Sequence, residues 1–248
     1  MEFKEVEEKI AERPVLDFGS IFSNSLELFK KVWVQGFVIL LLTFVCIIPL
    51  YILVYLPFVA MGIWNPEMFQ EQEPNAVMVL TFLCVLPVLL IGMATLTLGL
   101  MAAFLRICRS KDLNLEESDD YFYFFKNGRL RKLVVLGAMY LGISLLGLLV
   151  CGVGILYLVV PLSLVPAFVA FDEECSPKEI MKASFQLGNK NWLVIFGLII
   201  IMGLLAELGF ILCFVGVFFT AMLAKIPIYY IYKDGVGFEN DDERYLEN

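Results

Sequence analysis

Long apolar runs dominate the pattern of hydrophobic and polar positions along this chain. Each of six runs meets or approaches the roughly 20 residues that a helix needs to cross a bilayer core about 30 Å thick. Strands of membrane barrels alternate in polarity and are only about 10 residues long. The pattern therefore predicts an all-α polytopic membrane helix bundle with about six transmembrane helices. The runs are 32–58, 76–105, 133–151, 153–171, 192–210 and 212–232.

The composition agrees with a membrane protein and removes several kinds of chemistry. Hydrophobic residues make up 60% of the 248 and charged residues 18%, against roughly 45–50% and 25% in soluble domains. There is no histidine, which is the commonest general base and zinc ligand. The six cysteines form no Cys-x-x-Cys pair, and no nucleotide-binding loop or paired acidic site is visible. We expect no enzyme activity, no metal or other cofactor and no nucleic-acid partner.

Lysine and arginine lie almost entirely in the connections on one side of the predicted bundle. Because cytoplasmic loops are enriched in these residues, that side is predicted to be cytoplasmic, with both termini on it. Trp33 and Trp192 fall where the first and fifth helices enter the membrane, as expected of interfacial tryptophans. The basic connections and flanks are 30–31, 106–132, 172–191 and 233, and the opposite connections are 57–77, 151–154 and 207–213.

The chain divides into three parts by charge. Residues 1–17 are highly charged and lack the apolar stretch of a signal peptide, so we expect a charged cytoplasmic N-terminus. Residues 18–234 form the six-helix transmembrane domain. Residues 235–248 are predicted to be an acidic cytoplasmic tail.

Three helix pairs within this domain resemble one another, with boundaries at about 18–112, 113–172 and 173–234. The first aligns with the third at a constant offset of 159 (184 minus 25), and the second with the third at an offset of 62 (209 minus 147). The alternative is a chance alignment of leucine-rich segments. The matches are Ser25, Leu28, Lys31, Trp33 and Phe37 with Ser184, Leu187, Lys190, Trp192 and Phe196, and Asn127, Gly147, Cys151, Val153, Gly154 and Asp172 with Asn189, Gly209, Cys213, Val215, Gly216 and Asp234.

An amphipathic segment precedes each pair on the cytoplasmic side. At Ser176 the sequence Ser-Pro-Lys-Glu predicts a helix start with a serine cap, a proline at the first position and a capping box. Counterparts are expected at 18–29 and from Asn114 or Glu117. These lead-in helices either lie in the interface and bind anionic lipid, or pack against the bundle. The lysines expected to face water and headgroups are Lys178, Lys182 and Lys190.

The third pair carries a motif that resembles a known family. It reads Ser176-Pro-x-Glu, Ser184-x-x-Leu, Asn189-x-Asn-Trp, Cys213-x-Val-Gly-x-x-x-Thr and Tyr229-x-x-Tyr. This resembles the membrane domain attached to some glycerophosphodiester phosphodiesterases, and the YciC-like proteins. The resemblance implies a protein of the bacterial cytoplasmic (inner) membrane whose role is largely unknown. The phosphodiesterase activity belongs to a separate soluble domain, for which this chain has no room, so no enzyme activity is implied.

Lys225 is the residue least expected inside a membrane-spanning helix, because its side chain is charged. Lys233 marks the cytoplasmic end of the last span, so eight residues at 1.5 Å each put Lys225 about 12 Å inside. A lysine at the bilayer centre costs about 2.5–3.5 kcal/mol on insertion scales. Either its long side chain snorkels to the headgroups, or it faces a cavity shared with Thr220 and binds an anion. Glu207, near the outer end of the fifth helix, is expected to contact headgroups or ligand.

Two functions follow from these patterns. The first is a non-enzymatic scaffold or lipid-interacting component, with membrane lipid and a membrane-protein partner or a second copy as its partners. The alternative is a transporter or permease for a small or amphiphilic anion, with Lys225 in the pathway. A cavity lined by Lys225 and Thr220 favours the alternative. The candidate interface and repeat residues are Ser25, Lys31, Trp33, Ser184, Asn189, Lys190 and Trp192.

Overall fold

The computed structural model describes residues 1–60, 76–115, 117–126, 128–149, 152–212 and 216–238, and over these ranges the chain is helical without a strand. The all-α prediction is confirmed. Two 3-10 helices, Tyr123–Phe125 and Ala221–Lys225, lie among the α-helices. The α-helices are α1 (Phe3–Glu12), α2 (Phe18–Ala60), α3 (Ala76–Asp112), α4 (Leu130–Leu149), α5 (Val153–Phe171), α6 (Pro177–Lys190), α7 (Trp192–Leu212), α8 (Val217–Thr220) and α9 (Pro227–Gly235).

Five helices in the described ranges are long and apolar enough to cross a membrane. The run predicted as a sixth span, 212–232, is also helical where it is described, but it is divided into α8, a 3-10 helix and α9. None of these three pieces is by itself as long as a bilayer crossing. The five candidate spans are Phe18–Leu53, Val79–Asp112, Arg129–Leu149, Val153–Phe171 and Trp192–Gly209.

Helix α5 lies at the centre of the bundle. It is apolar on every side, and a helix of that kind must be covered on every side. From Val160 to Ala170 all but one of its residues are buried, Ser163 being half-buried. Helices α3, α4, α6 and α9 pack around it. The first turns of α5 are different, because Val153, Leu156 and Tyr157 are exposed and present an apolar surface to the surroundings.

Helix α6 folds back along α5 and does not lie apart from the bundle. The capping box predicted at Ser176 is confirmed, with both of its hydrogen bonds to Glu179 present. Further along, the Ser184 hydroxyl donates to the Pro161 carbonyl at 2.5 Å. Ile180 and Leu187 are buried against the bundle. Of the two readings of this lead-in helix, the structure therefore favours packing against the bundle.

The charged N-terminal segment forms a helix, α1, that docks on α6. Val6 and Ile10 are buried at the contact. The Glu7 carboxylate accepts hydrogen bonds from Lys182, at 2.7 Å, and from Gln186, at 2.5 Å. These contacts with Lys182 lower the pKa of Glu7. Lys182 is exposed, which agrees with the prediction that it faces water, and its ammonium also pairs with this helix.

Lys190, which was also predicted to face water and headgroups, is likewise exposed and makes further contacts with α1. Its ammonium donates three hydrogen bonds of 2.6–3.0 Å to backbone carbonyls at the end of α1. The last carbonyls of a helix have no partner within the helix and favour a cation. Lys190 therefore caps α1 and ties it to the end of α6. The carbonyls belong to Ile10, Ala11 and Arg13.

The other two lead-in segments differ from α6. The first, 18–29, continues without a break into the first span as the 43-residue α2, about 65 Å long and roughly twice the thickness of a bilayer core. The third prediction, a helix from Asn114 or Glu117, is wrong in the described residues, which hold turns and the 3-10 helix Tyr123–Phe125. Within this segment Phe124 is buried and Tyr123 lies under a guanidinium, whereas Phe122 is exposed.

Two pairs of glycines make the same close backbone contact. A Cβ placed on Gly154 would lie 2.6 Å from the carbonyl oxygen of Gly147, and one placed on Gly216 would collide with the carbonyl oxygen of Gly209. Only glycine allows helices to approach so closely at these points. The two contacts are separated by the same 62 positions (209 minus 147) that relate the second and third predicted repeats.

Several predictions concern residues outside the described ranges. They are the outer connection at 61–75, the repeat residues Asn127, Cys151, Cys213 and Val215, and the acidic tail from 239 onward.

Candidate functional site

Lys225 is the last residue of the 3-10 helix Ala221–Lys225, two positions before Pro227. A proline has no N–H to donate, and in a regular α-helix its ring clashes with the carbonyl four residues earlier. Pro227 therefore does not continue an α-helix from the residues before it. It serves instead as the first residue of α9. The break leaves the side chain of Lys225 exposed, while Ile226 and Ile228 beside it are buried.

Lys225 lines a cavity of about 260 Å³. Its walls come from α3, α4, α5 and the last helical segment, and they are mostly apolar. The lysine thus borders a cavity between helices. The lining residues are Met93, Ala94, Thr97, Leu98, Met101, Tyr140, Leu162, Ser163, Pro166, Lys225 and Ile228.

Four of the lining residues carry polar groups, and only two of those groups still have a proton to donate. The hydroxyls of Thr97 and Ser163 donate to backbone carbonyls of their own helices, at 2.8 and 2.7 Å. Within the described residues, neither the Lys225 ammonium nor the Tyr140 hydroxyl has a hydrogen-bond partner. A cation and a hydrogen-bond donor in an apolar cavity are the groups that an anionic ligand with an apolar part requires.

The segment that follows Lys225 is packed tightly towards its end. Tyr229 and Tyr230 are buried, and both hydroxyls donate to the Asp112 carboxylate at 2.8 Å. Lys233 donates to the same carboxylate at 2.6 Å. Asp112 ends α3, so one carboxylate fastens α9 to that helix through three hydrogen bonds. These contacts hold α9, which begins two residues after Lys225.

A second carboxylate, Asp172, holds α9 from the end of α5. Its side chain is fully buried, and one oxygen accepts a hydrogen bond from the Tyr232 hydroxyl at 2.7 Å. The other oxygen has no partner among the described residues. Burial raises the pKa of Asp172 to about 6, although the Tyr232 hydrogen bond acts in the opposite direction. Asp172 therefore changes charge near neutral pH.

A third polar cluster links Arg106 of α3 with the connection between α3 and α4. The Arg106 guanidinium lies 3.5 Å from the centre of the Tyr123 ring. Arg129 donates to the hydroxyl of the same tyrosine at 3.0 Å and pairs with Glu173 at 2.9 Å. The charges are matched within the cluster, so it serves to fasten the connection to the bundle.

The other two candidate ligand residues do not line the cavity at Lys225. The Thr220 hydroxyl donates to the Ala206 carbonyl at 2.6 Å, and so joins α8 to α7. The expected cavity shared by Lys225 and Thr220 is therefore absent from the described part of the chain. Glu207 is exposed on α7.

The matched residues of the predicted repeat make different contacts in their two copies. Ser25 donates to a carbonyl of its own helix, that of Ile21, whereas Ser184 donates across to α5. Lys31 is exposed, whereas Lys190 caps α1. The matched polar residues thus have separate roles in the structure.

The tryptophans and Asn189 of this motif contact other helices. Trp33 is exposed, with its ring 5.9 Å from that of Phe219 in α8. Asn189 accepts from the Tyr157 hydroxyl at 2.6 Å, and the Trp192 ring nitrogen donates to the Tyr157 carbonyl at 3.2 Å. Asn189 and Trp192 therefore fasten the junction of α6 and α7 to the start of α5.

Sequence reasoning missed Tyr140, Asp112 and the role of Asp172. Tyr140 lies within a 20-residue apolar helix, away from the interfaces where tyrosines concentrate, and that position was a usable signal. Asp112 ends α3, and Asp172 directly follows α5. Their partners on α9 carried no such signal, because Asp112 and Tyr229 are 117 positions apart.

We compared the chain with family models, curated proteins and solved structures, and none matches it. The resemblance to the membrane domain of the phosphodiesterases and to the YciC-like proteins thus stays a prediction.

Proposed function

We propose that this chain is a multi-pass protein of the bacterial cytoplasmic membrane that binds an anionic amphiphile of the bilayer and catalyses no reaction. One observation carries the proposal: Lys225, without a partner among the described residues, borders an apolar cavity of about 260 Å³. A charge at that depth costs about 2.5–3.5 kcal/mol on insertion scales. An anionic group in the cavity would offset this cost, and the apolar walls would receive its chain.

The cavity also supports a ligand that arrives from the bilayer and not from the cytoplasm. Each residue of 226–232, beyond Lys225, is buried, and three of them are tyrosines fastened to Asp112 and Asp172. An aqueous ligand would have to pass this packed layer. An amphiphile already in the membrane reaches the cavity sideways, with its apolar chain along the exposed apolar faces.

The topology we propose has six spans in three helix pairs, with both termini in the cytoplasm. The segment from α8 to α9 is the sixth span in this arrangement. The shared glycine contact of the second and third pairs, at Gly147 with Gly154 and at Gly209 with Gly216, supports the repeat. The distribution of lysine and arginine supports the orientation.

Binding can be tested in nanodiscs of zwitterionic lipid with a fluorescent fatty acid and its methyl ester. The wild-type protein should bind the fatty acid at least tenfold more tightly than the uncharged ester. Lys225→Gln should abolish this preference, because the ester lacks the negative charge that the lysine would contact.

Lys31→Gln is the matched control, since Lys31 is an exposed lysine outside the cavity. It should keep the preference of the wild-type protein. Equal binding of acid and ester by the wild-type protein, or an unchanged preference in Lys225→Gln, would reject the proposal.

A transporter for an amphiphilic anion is the second candidate, and the broken last helix favours it. Transporters often place their sites at interrupted helices. Proteoliposomes that accumulate the labelled fatty acid faster than protein-free vesicles, with loss of that excess in Lys225→Gln, would support transport. Binding without such accumulation would leave the lipid-binding function alone.

A further inference from the structure

The 3-10 helix that ends at Lys225 conflicts with its own sequence. Its residues are Ala, Met, Leu, Ala and Lys, which are among the best α-helix formers. It is five residues long, whereas 3-10 runs longer than three or four residues are uncommon. The conformation of the segment is therefore imposed by its surroundings.

Both ends of the segment are held by identifiable contacts. On the α8 side, Thr220 is hydrogen-bonded to the Ala206 carbonyl, and the Phe219 ring stacks on Phe37 with centroids 4.8 Å apart. On the other side, Pro227 excludes a regular α-helical bond to Leu223. Beyond the proline, α9 is fastened to Asp112. The five residues between these two anchors adopt the 3-10 conformation because both of their ends are fixed.

From these contacts we infer that the segment Ala221–Lys225 is a hinge that moves Lys225 into and out of the cavity, and so regulates when the anion is held. The inference rests on the proposed function of the cavity. A 3-10 helix turns about 120° and rises about 2.0 Å per residue, against about 100° and 1.5 Å for an α-helix. Over five residues, conversion would turn Lys225 by about 100° and move it by about 2.5 Å.

A rotation of that size takes the ammonium from the cavity wall to another side of the helix. An anion that contacts Lys225 only in the 3-10 state stabilises that state, because a ligand shifts an equilibrium by its difference in affinity for the two forms. In the α-helical state the cavity keeps its apolar walls and the Tyr140 hydroxyl but loses its cation. Ligand release is thus coupled to the winding of one helical turn.

Pro227→Ala tests the hinge without touching Lys225. It restores an N–H and removes the ring, so 221–235 should wind as one α-helix. We expect the affinity for the fluorescent fatty acid in nanodiscs to fall about tenfold. The carbon-13 chemical shifts of Ala221 and Ala224 should move to α-helical values. Pro87→Ala, at a proline inside α3, is the matched control and should bind as the wild-type protein does.

Thr220→Val provides a second variant, because it frees the other anchor while keeping the size of the side chain. It should lower the affinity in the same direction, by about threefold. Unchanged chemical shifts in Pro227→Ala would overturn the hinge, and so would wild-type affinity in that variant. A failure of Lys225→Gln to weaken binding would instead reject the proposed function, so the two failures can be told apart.

Discussion

Lys225 and Lys233, eight positions apart (233 minus 225), have opposite surroundings. Lys233 donates to Asp112 at 2.6 Å, and two tyrosines share the carboxylate. Lys225 has no partner in the described residues and borders a cavity. A charge with its partner in place holds the fold together, whereas one without a partner is a cost that a ligand can remove. The contrast separates structural polar residues from those available for binding.

The largest expected effect is on stability, at Asp112, which is the partner of Lys233. Asp112→Ala removes the acceptor of Tyr229, Tyr230 and Lys233 and leaves three donors without it. We expect the free energy of unfolding in mixed micelles to fall by about 3–5 kcal/mol. Asp120→Ala is the control, because its ion pair with Lys126 is exposed and is worth less than about 1 kcal/mol. Equal losses in the two variants would show that Asp112 is not a structural anchor.

Asp172 should make stability depend on pH. Its pKa is about 6 in the folded protein, above the ordinary value near 3.9. The folded state therefore holds a proton between these values that the unfolded state has lost, so stability falls as pH rises through this window. The total change is about 3 kcal/mol.

Asp172→Asn should abolish this slope while keeping an oxygen for Tyr232 to donate to. Unfolding of the wild-type protein and the variant is compared between pH 4.5 and 7.5. Parallel curves for the two proteins would show that Asp172 does not titrate in this window.

Removing the unpaired lysine should leave the fold at least as stable as before. Lys225→Met deletes a charge from the proposed sixth span, and we expect the free energy of unfolding to rise by about 1–3 kcal/mol. Lys233→Met should lower it, because Asp112 then loses its cation. A loss of stability in Lys225→Met would mean that this lysine also supports the structure.

The smallest effect is expected at the second donor in the cavity. Tyr140→Phe removes one hydroxyl without changing the packing of the ring. A neutral hydrogen bond is worth about 0.5–1.5 kcal/mol, so the affinity for the fatty acid should fall about two- to tenfold, with no change in stability. An unchanged affinity would leave Lys225 as the sole polar contact of the ligand.

The helical fold could be predicted because apolar runs of membrane length permit few structures. The start of α6 was equally accessible, since a capping box is local chemistry at Ser176 and Glu179. The surface against which α6 packs could not be predicted. Its amphipathic pattern identifies an apolar face, but lipid and protein cover such a face equally well. Only the contacts with α5 and α1 decide between them.

The candidate site was predictable in part. Lys225 stood out because a charge inside an apolar run is costly, and that argument needs no partner. Thr220 was grouped with it by proximity along the chain, yet its hydroxyl is used by Ala206 on another helix. The 3-10 turn ran against local propensity, which tertiary contacts overrode. Long-range partners were thus the part of the site that sequence reasoning could not reach.

The docking of α1 has a consequence for the synthesis of the protein. Lys190, which caps this helix, lies 177 positions beyond Arg13. At about 5–20 residues per second, the ribosome needs about 9–35 seconds to make that stretch. During this time Val6 and Ile10 have no surface to bury against, and Glu7 has no Lys182. Helix α1 must therefore remain undocked until most of the bundle has been inserted. In our proposed topology it does so in the cytoplasm.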